Sequence, residues 1–439
     1  MGVKQTQRQD ARDLAVLVLC RLEGAQLPIQ AALNGILTRA RCGTVDAALC
    51  AELCYGALRM EIRLSWLLAR FLKAPQKLPP RMRCTLLVAA YGLLFLEGMP
   101  KHAVVDWAVE SVKRKHGQML ARVANACLRA LCREGEAPQD FAYYHAGGQD
   151  GLARLALYHS LPLWIARLWQ EGYGPDKTVL LMAKSSSRPA AGLRVNRAQP
   201  GWESLARQLE VAGAQRLTAA CCVAAPNQRA QLEDHCSLGD LLAAGRLSRQ
   251  GAGSQLALHA LQAEAWPDPL WDACAGQGTK SCALLEHGKE VRMASDTHFQ
   301  RLLRISSECR RLRLPKPITV QASALQPPLR FTPGTIVLDV PCSNLGVLAA
   351  RPDIRRNRQP VQLQKLQFVQ AGMLEAAHGE LAAGGHIVYI TCTQNPGENE
   401  DQIRAFLTRH PRASLVREWN SPAEDRLLEG MYAALLMKH

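Results

Sequence analysis

The sequence contains fifteen cysteines, yet no two of them stand at the Cys-x-x-Cys spacing. Cys50 and Cys54 are helically spaced and Cys221 and Cys222 are adjacent, so structural zinc has weak support and no metal is expected. The N-terminus carries no apolar signal segment, the thiol count is odd and the chain runs to 439 residues. A small secreted disulfide scaffold is disfavoured on these grounds, and reduced thiols in a cytoplasmic protein are expected. Long apolar runs are also missing. The longest, around Leu86 to Leu96, is too short to cross a bilayer, so no membrane partner is expected. Neither an internal repeat nor a low-complexity tail is found.

What is present is a chain with 48% hydrophobic residues, long enough for two or three domains with full cores and expected to be a globular monomer. Lys and Arg outnumber Asp and Glu by 53 to 38, a formal charge of +15, and the sequence pI is about 9.3. Such a balance favours phosphate backbones or anionic surfaces as partners, with RNA the first choice, although charge alone does not separate nucleic-acid binding from solubility.

Residues 1–140 read as all helix. Leu64, Leu67, Leu68, Phe71 and Leu72 form one apolar stripe, and Leu120, Val123, Ala124, Cys127, Leu128 and Leu131 form another. Pro79-Pro80 and Gly98-Met99-Pro100 break the pattern where helices should turn. The basic run Lys113-Arg114-Lys115 suits a solvated helix end or a phosphate contact equally well. Tyr143-Tyr144-His145-Ala146-Gly147-Gly148 reads as a linker. A small α+β region follows over 150–240, with a helix around Leu163 to Trp169, a strand at Gly192 to Asn196, and a second helix carrying Leu205, Leu209 and Val211 on its packing face. The third region is 241–439. From about 255 onward strands and helices alternate, which predicts parallel βαβ units.

Two short runs in that third region, Thr335-Ile336-Val337-Leu338 and Ile387-Val388-Tyr389-Ile390, are apolar on both faces, as central parallel strands are. Each is followed closely by a cysteine, Cys342 after the first and Cys392 after the second. Ligands of open α/β sheets bind beyond the carboxyl ends of the strands, so both thiols should open into one crevice. Adjacent strands lie about 4.8 Å apart, close enough for two sulfurs to reach one ligand ring. Two thiols at one site suggest covalent chemistry on an electrophilic carbon. Upstream, Trp271-Asp272-Ala273-Cys274-Ala275-Gly276-Gln277-Gly278-Thr279-Lys280-Ser281 has the form of a glycine turn between a strand and a helix, a place where backbone can approach a ligand. Asp296 ends the next strand about 20 residues on, a spacing that suits a carboxylate accepting from ribose hydroxyls; an ordinary βα turn with a capping aspartate fits equally well.

The motifs Asp339-Val340-Pro341-Cys342-Ser343 and Thr391-Cys392-Thr393, followed by Pro396-Gly397-Glu398-Asn399-Glu400, resemble the RsmB (Sun/Fmu) family of RNA cytosine-C5 methyltransferases. Arg351-Pro352-Asp353-Ile354, Leu193-Arg194-Val195-Asn196 and Glu429-Gly430-Met431-Tyr432-Ala433 extend the likeness, and Val123 to Arg129 is similar to the NusB-like helical domain that such enzymes carry. The resemblance implies a Rossmann-like class I methyltransferase domain over 241–439, preceded by an all-α NusB-like domain over 1–140 and a small α+β domain over 150–240, both binding RNA. It implies S-adenosyl-L-methionine as cofactor and a cytosine of small-subunit ribosomal RNA as substrate. Cys392 would be the nucleophile that adds to carbon 6 of the base, and Cys342 would assist release of the covalent intermediate. The cofactor would lie against Cys274, Ala275, Gly276, Gln277, Gly278, Thr279, Lys280, Asp296, Ser323 and Asp339, with Asp339 also holding the polar edge of the base. A free thiol ionises only around pH 8.5, so a nucleophile of this kind calls for a neighbouring positive charge or helix N-terminus, and Lys280 is one candidate.

The chain departs from the family pattern on the cofactor side. Cys274-Ala275-Gly276-Gln277-Gly278-Thr279-Lys280 stands where relatives read Cys-Ala-Ala-Pro-Gly-Gly-Lys, and the β-branched Thr279 should resist a positive φ. Ser323 replaces an aspartate, giving a shorter, uncharged acceptor. Ala349 and Ala350 replace two arginines. These changes motivate a second expectation, an RNA-binding ribosome-assembly factor of the same fold with weakened catalysis. DNA cytosine methylation is a third, disfavoured by the Thr-Cys motif and the NusB-like region.

Overall fold

The computed structural model describes residues 10–25, 27–40, 42–145 and 150–439, and the chain divides into two compact units. The first, Met1–Ser186 together with Leu348–Asn357, is helical. Its long helices Thr44–Arg59, Pro80–Phe95 and Lys101–Arg133 bury aliphatic stripes against Ala11–Leu22 and one another. Leu64, Leu67 and Leu68 are buried as their spacing predicts, and so are Ala124, Cys127, Leu128 and Leu131. Val123, expected on the same stripe, is partly exposed to solvent. Gly117, at φ 82°, breaks the longest helix near its middle, and Gly174, at φ 79°, breaks Leu163–Ser186 just before Pro175. Of the expected linker, Tyr143 to His145 fall within the short 3₁₀ turn Phe141–His145 and Tyr144 is buried; residues 146–149 lie outside the described residues. Among the described residues no helix is long and apolar enough to cross a membrane.

The second unit, Ser187–Val347 with Arg358–His439, holds two sheets. The smaller is antiparallel, with strands β1 (Ala191–Val195), β2 (Gln215–Arg216), β3 (Cys221–Ala224) and β4 (Leu247–Arg249) in the order β2-β3-β1-β4. The helix Trp202–Val211 covers it through Leu205, Ala206 and Leu209. Val211, expected on the same face, is exposed, since two residues beyond Leu209 is about 200° around a helix.

The larger sheet has β5 (Leu270–Asp272), β6 (Val291–Asp296), β7 (Ile318–Gln321), β8 (Thr335–Asp339), β9 (His386–Thr391), β10 (Ala413–Asn420) and β11 (Tyr432–Lys438) in the order β10-β11-β9-β8-β5-β6-β7. The five strands from β9 to β7 are parallel, and β11 runs antiparallel to β9. Strands β8 and β9 are buried nearly throughout, with apolar clusters on both faces of the sheet, which explains their unbroken apolar sequence. This is the doubly wound, Rossmann-like arrangement, and its carboxyl rim carries both cysteine motifs.

Candidate active site

Cys342 follows the end of β8 by three residues and Cys392 follows β9 directly, on neighbouring strands whose register pairs Asp339 with Ile390. The fold brings the two sulfurs to 3.4 Å. Cys342 is buried and Cys392 half-buried. The hydrogen bond with Cys392, together with burial, pushes the Cys342 thiol well above its ordinary value, so Cys342 keeps its proton. Asn344, in the left-handed region at φ 61°, touches the same pair. Its Nδ2 donates to the Cys342 carbonyl at 3.1 Å, which turns Oδ1 toward Cys392, whose thiol donates to it at 2.8 Å.

Glu398 locks the two cysteine loops together. Wholly buried, its carboxylate accepts from the Ser343 backbone N–H and Gln370 Nε2, each at 2.8–2.9 Å, from Asn395 Nδ2 at 2.8 Å, and from the Ser343 hydroxyl. Ser343 and Thr393, each one residue past a cysteine, join hydroxyls at 2.7 Å. Asn399 ties down the start of the second loop, accepting from the Thr391 hydroxyl at 2.7 Å and donating to the Thr393 carbonyl at 3.0 Å. Behind them Gly346 donates to the Cys392 carbonyl at 3.1 Å and accepts from Gly430 at 2.8 Å. A Cβ on Gly346 would collide with the Gly430 backbone, which explains the glycines in both segments.

On the neighbouring strands, Cys274 to Lys280 turn out of β5 into the helix Thr279–Glu286. The positive φ angles fall on Gly276 (55°) and Gly278 (82°); Thr279 opens the helix. The expected strain at Thr279 is therefore absent, because the turn's left-handed residues are glycines. Space beside Gly276 is open. Asp296, at the end of β6, accepts from the Gly276 N–H at 3.0 Å and the His298 N–H at 2.7 Å, so the acidic residue and the glycine turn share one corner. Ala275 donates to the Ser295 carbonyl at 2.8 Å, Gln277 accepts from Arg304 at 2.9 Å, and burial pushes the Cys274 thiol well up. Lys280 reaches across to Asp339 at 2.6 Å. Burial opposes its charge, but Asp339 outweighs burial and holds Lys280 above the ordinary lysine value. Cys392 is within electrostatic range of that ammonium, though Asp339 is its direct partner. Ser323 stands just beyond β7, whose Gln321 pairs with Asp296, and its hydroxyl accepts from the Leu325 N–H of its own loop at 3.2 Å.

Asp272, the last residue of β5, is a further polar group beneath this turn. Its Oδ2 accepts from the Ser281 hydroxyl at 2.5 Å, while Oδ1 is buried without a hydrogen-bond partner. Burial raises its carboxyl to about 6.

Comparison with known proteins agrees with this geometry. The family model for the 16S rRNA methyltransferase RsmB/F matches residues 258–436, and that of the NusB family matches residues 9–133. Ribosomal RNA small subunit methyltransferase B of Vibrio cholerae is 32% identical over 413 residues, spanning 90% of each chain. The chain belongs to the RsmB family of ribosomal RNA methyltransferases. The corresponding protein of Vibrio vulnificus is 30% identical over 90% of this chain and 91% of its own. Among solved structures, the crystal structure of PH0851 covers 98% of this chain and 99% of its own with a TM-score of 0.75 at 18% identity. A methyltransferase homolog from Pyrococcus horikoshii covers 66% of this chain and all of its own, with a TM-score of 0.55 at 19% identity. Both share the fold.

Two residues of the Leu193-Arg194-Val195-Asn196 segment are structural braces. Arg194 forms a buried pair with Glu286 at 2.8 Å, and Asn196 donates to the Gly245 and Leu312 carbonyls at 2.9 Å. The residues that sequence reasoning left out of the site are Asn344, Glu398 and Asp272. Glu398 and Asp272 lay inside quoted motifs, and a carboxylate amid apolar or glycine-rich sequence was the available signal. Asn344 had none, since its importance depends on a left-handed backbone.

Proposed function

We propose that this protein transfers a methyl group from S-adenosyl-L-methionine to carbon 5 of a cytosine in small-subunit ribosomal RNA. The observation that carries the reading is the pair of sulfurs 3.4 Å apart at the carboxyl rim. Family membership supports the RNA substrate, with 1–140 and 150–240 read as RNA-gripping domains beside a catalytic domain at 241–439. The residues fit the cofactor: a glycine turn with open space at Gly276, a carboxylate at Asp296, and at Asp272 a buried oxygen without a donor, suited to a ligand bearing a cationic amine. When bound, the cofactor supplies an electrophilic methyl group.

Carbon 5 of cytosine is a weak nucleophile until a thiolate adds at carbon 6. In this reading Cys392 releases its proton to solvent, the one net proton the reaction liberates, and the thiolate forms the bond to carbon 6, making carbon 5 electron-rich. Asp339, one third exposed and fixed by Lys280, accepts from the polar edge of the base. After methylation the proton on carbon 5 must leave and the carbon–sulfur bond must break. Cys342 returns its own proton to the departing Cys392 sulfur and takes up the carbon 5 proton in exchange, so the pair ends with the protons it began with. The target base has to be unstacked for the thiol to reach it.

Incubation with unmodified ribosomal RNA and labelled cofactor tests the reading. Wild type should transfer label, Cys392→Ala should not, and Cys342→Ala should accumulate RNA-linked protein on a denaturing gel. Equal transfer by wild type and Cys392→Ala removes Cys392 from its role, and DNA accepting methyl as well as RNA would reverse the substrate assignment. The second reading, an assembly factor with weakened catalysis, retains Ser323 as its support, since Thr279 sits unstrained in its helix. RNA affinity without cofactor heat in a calorimetric titration would favour it.

A further inference from the structure

The helix Val361–Glu380 connects β8 to β9 and therefore descends from the carboxyl rim toward the opposite edge of the sheet. Its level is fixed by Gln370, whose Nε2 donates to the Pro341 carbonyl and to Glu398 at 2.9 Å, both at the cysteine loops. Beyond that point Met373, Leu374 and Ala377 pack on the sheet core. The nine residues before Gln370, roughly 13 Å at helical pitch, therefore rise on the side of the cysteine loops; Leu363 is buried and Val369 packs on the sheet core, while the opposite face is open. Gln367 in this stretch lies against Gly397 of the Cys392 loop.

Along the rising part, Val361, Gln364, Lys365 and Phe368 stand at i, i+3, i+4 and i+7 and are all exposed. Phe368 is 81% exposed. An aromatic ring left in water is unfavourable for the protein alone. It is what a single-stranded nucleic acid uses, since every base offers a face for stacking, and a lysine one turn away suits the adjoining phosphate. We propose that this exposed face of Val361–Glu380 receives the RNA strand flanking the target base, with Phe368 stacking on an unpaired neighbour and Lys365 contacting its phosphate. The inference rests on the RNA substrate proposed above. Continuity with the cysteine loops through Gln367 and Gln370, and the charge of +15, favour RNA over a second copy of this chain as the occupant.

The test measures binding of an unmodified small-subunit ribosomal RNA transcript to full-length protein across a salt series. Phe368→Ala should weaken binding about tenfold, Phe368→Tyr should restore most of it, and Lys365→Ala should flatten log affinity against log salt by roughly 0.7. Cys392 alkylation by iodoacetamide at the wild-type rate in Phe368→Ala would show that the site is intact. Unchanged affinity in Phe368→Ala overturns the inference, as does equal loss in the Ala and Tyr variants. Concentration-dependent self-association in wild type that Phe368→Ala abolishes, with RNA affinity unchanged, would assign the face to a second copy. Binding needs no methyl transfer, so an inactive wild type would refute the proposed reaction and leave this comparison readable.

Discussion

Asn344 governs where the proton of Cys392 rests. With its amide held by the Cys342 carbonyl, only Oδ1 of the side chain can meet the thiol, so Cys392 is held as a hydrogen-bond donor. Asn344→Gly keeps the left-handed backbone and deletes the acceptor, and Asn344→Asp keeps an acceptor but adds a negative charge beside the sulfur. Iodoacetamide should therefore alkylate Cys392 several-fold faster in the glycine variant and slower in the aspartate variant. Shifts in the same direction would reduce Asn344 to a loop residue. Asp272 yields a prediction about pH. Its carboxyl is raised to about 6 from an ordinary 3.8, so the folded state prefers it neutral, and the associated stability is present below pH 4 and lost as pH rises through 6. Asp272→Asn, which can still accept from Ser281, should gain on wild type over that window by up to about 3 kcal/mol. Thermal unfolding of both proteins at pH 4, 5, 6 and 7 measures the difference. Both residues show the limits of reading side chains in sequence: Asp272 was visible as a motif letter, but its unpaired oxygen follows from burial, and Asn344 depends on a φ angle that no residue type announces.

At the scale of elements, the parallel strands were the most legible part of the chain. Strands buried on both faces cannot alternate polar and apolar residues, so β8 and β9 declared themselves and fixed where the cysteines would emerge. What joins the loops beyond them was illegible, because it depends on long-range partners: Ser343 with Glu398, 55 positions apart, and Gly346 with Gly430. The spacing of the sulfurs depends on Glu398, a buried acceptor already surrounded by donors. Glu398→Gln would set an amide donor against those groups, leaving at least one unpaired, a change worth about 1–3 kcal/mol. The expected outcome is a folded protein with lower Tm, and methyl transfer reduced more than RNA affinity. A variant with wild-type transfer and lower Tm would confine Glu398 to stability. The helix Trp202–Val211 was read correctly as an element and wrongly at one position, since two hydrophobic residues in sequence can lie on opposite sides of a helix.

At the scale of the whole molecule, contiguous reading meets its limit in Leu348–Asn357. These residues interrupt the second unit in sequence and pack with the first, where Arg355 donates to the Ser185 carbonyl at 2.7 Å and Arg356 pairs with Glu61. Composition was more informative than order here, because the charge of +15 belongs to no single motif. If that charge serves RNA binding, each phosphate neutralised releases counterions, and affinity must fall steeply with salt. Cofactor binding at the proposed glycine turn and buried carboxylates would release few ions and should change little. Filter binding of ribosomal RNA and calorimetry of S-adenosyl-L-methionine, both between 50 and 200 mM salt, separate the two contributions. For about six phosphate contacts the RNA affinity should drop roughly a thousandfold while the cofactor affinity stays within about twofold. A flat RNA curve would mean that the positive charge serves solubility, and the RNA-gripping role proposed for the first 140 residues would lose its electrostatic basis.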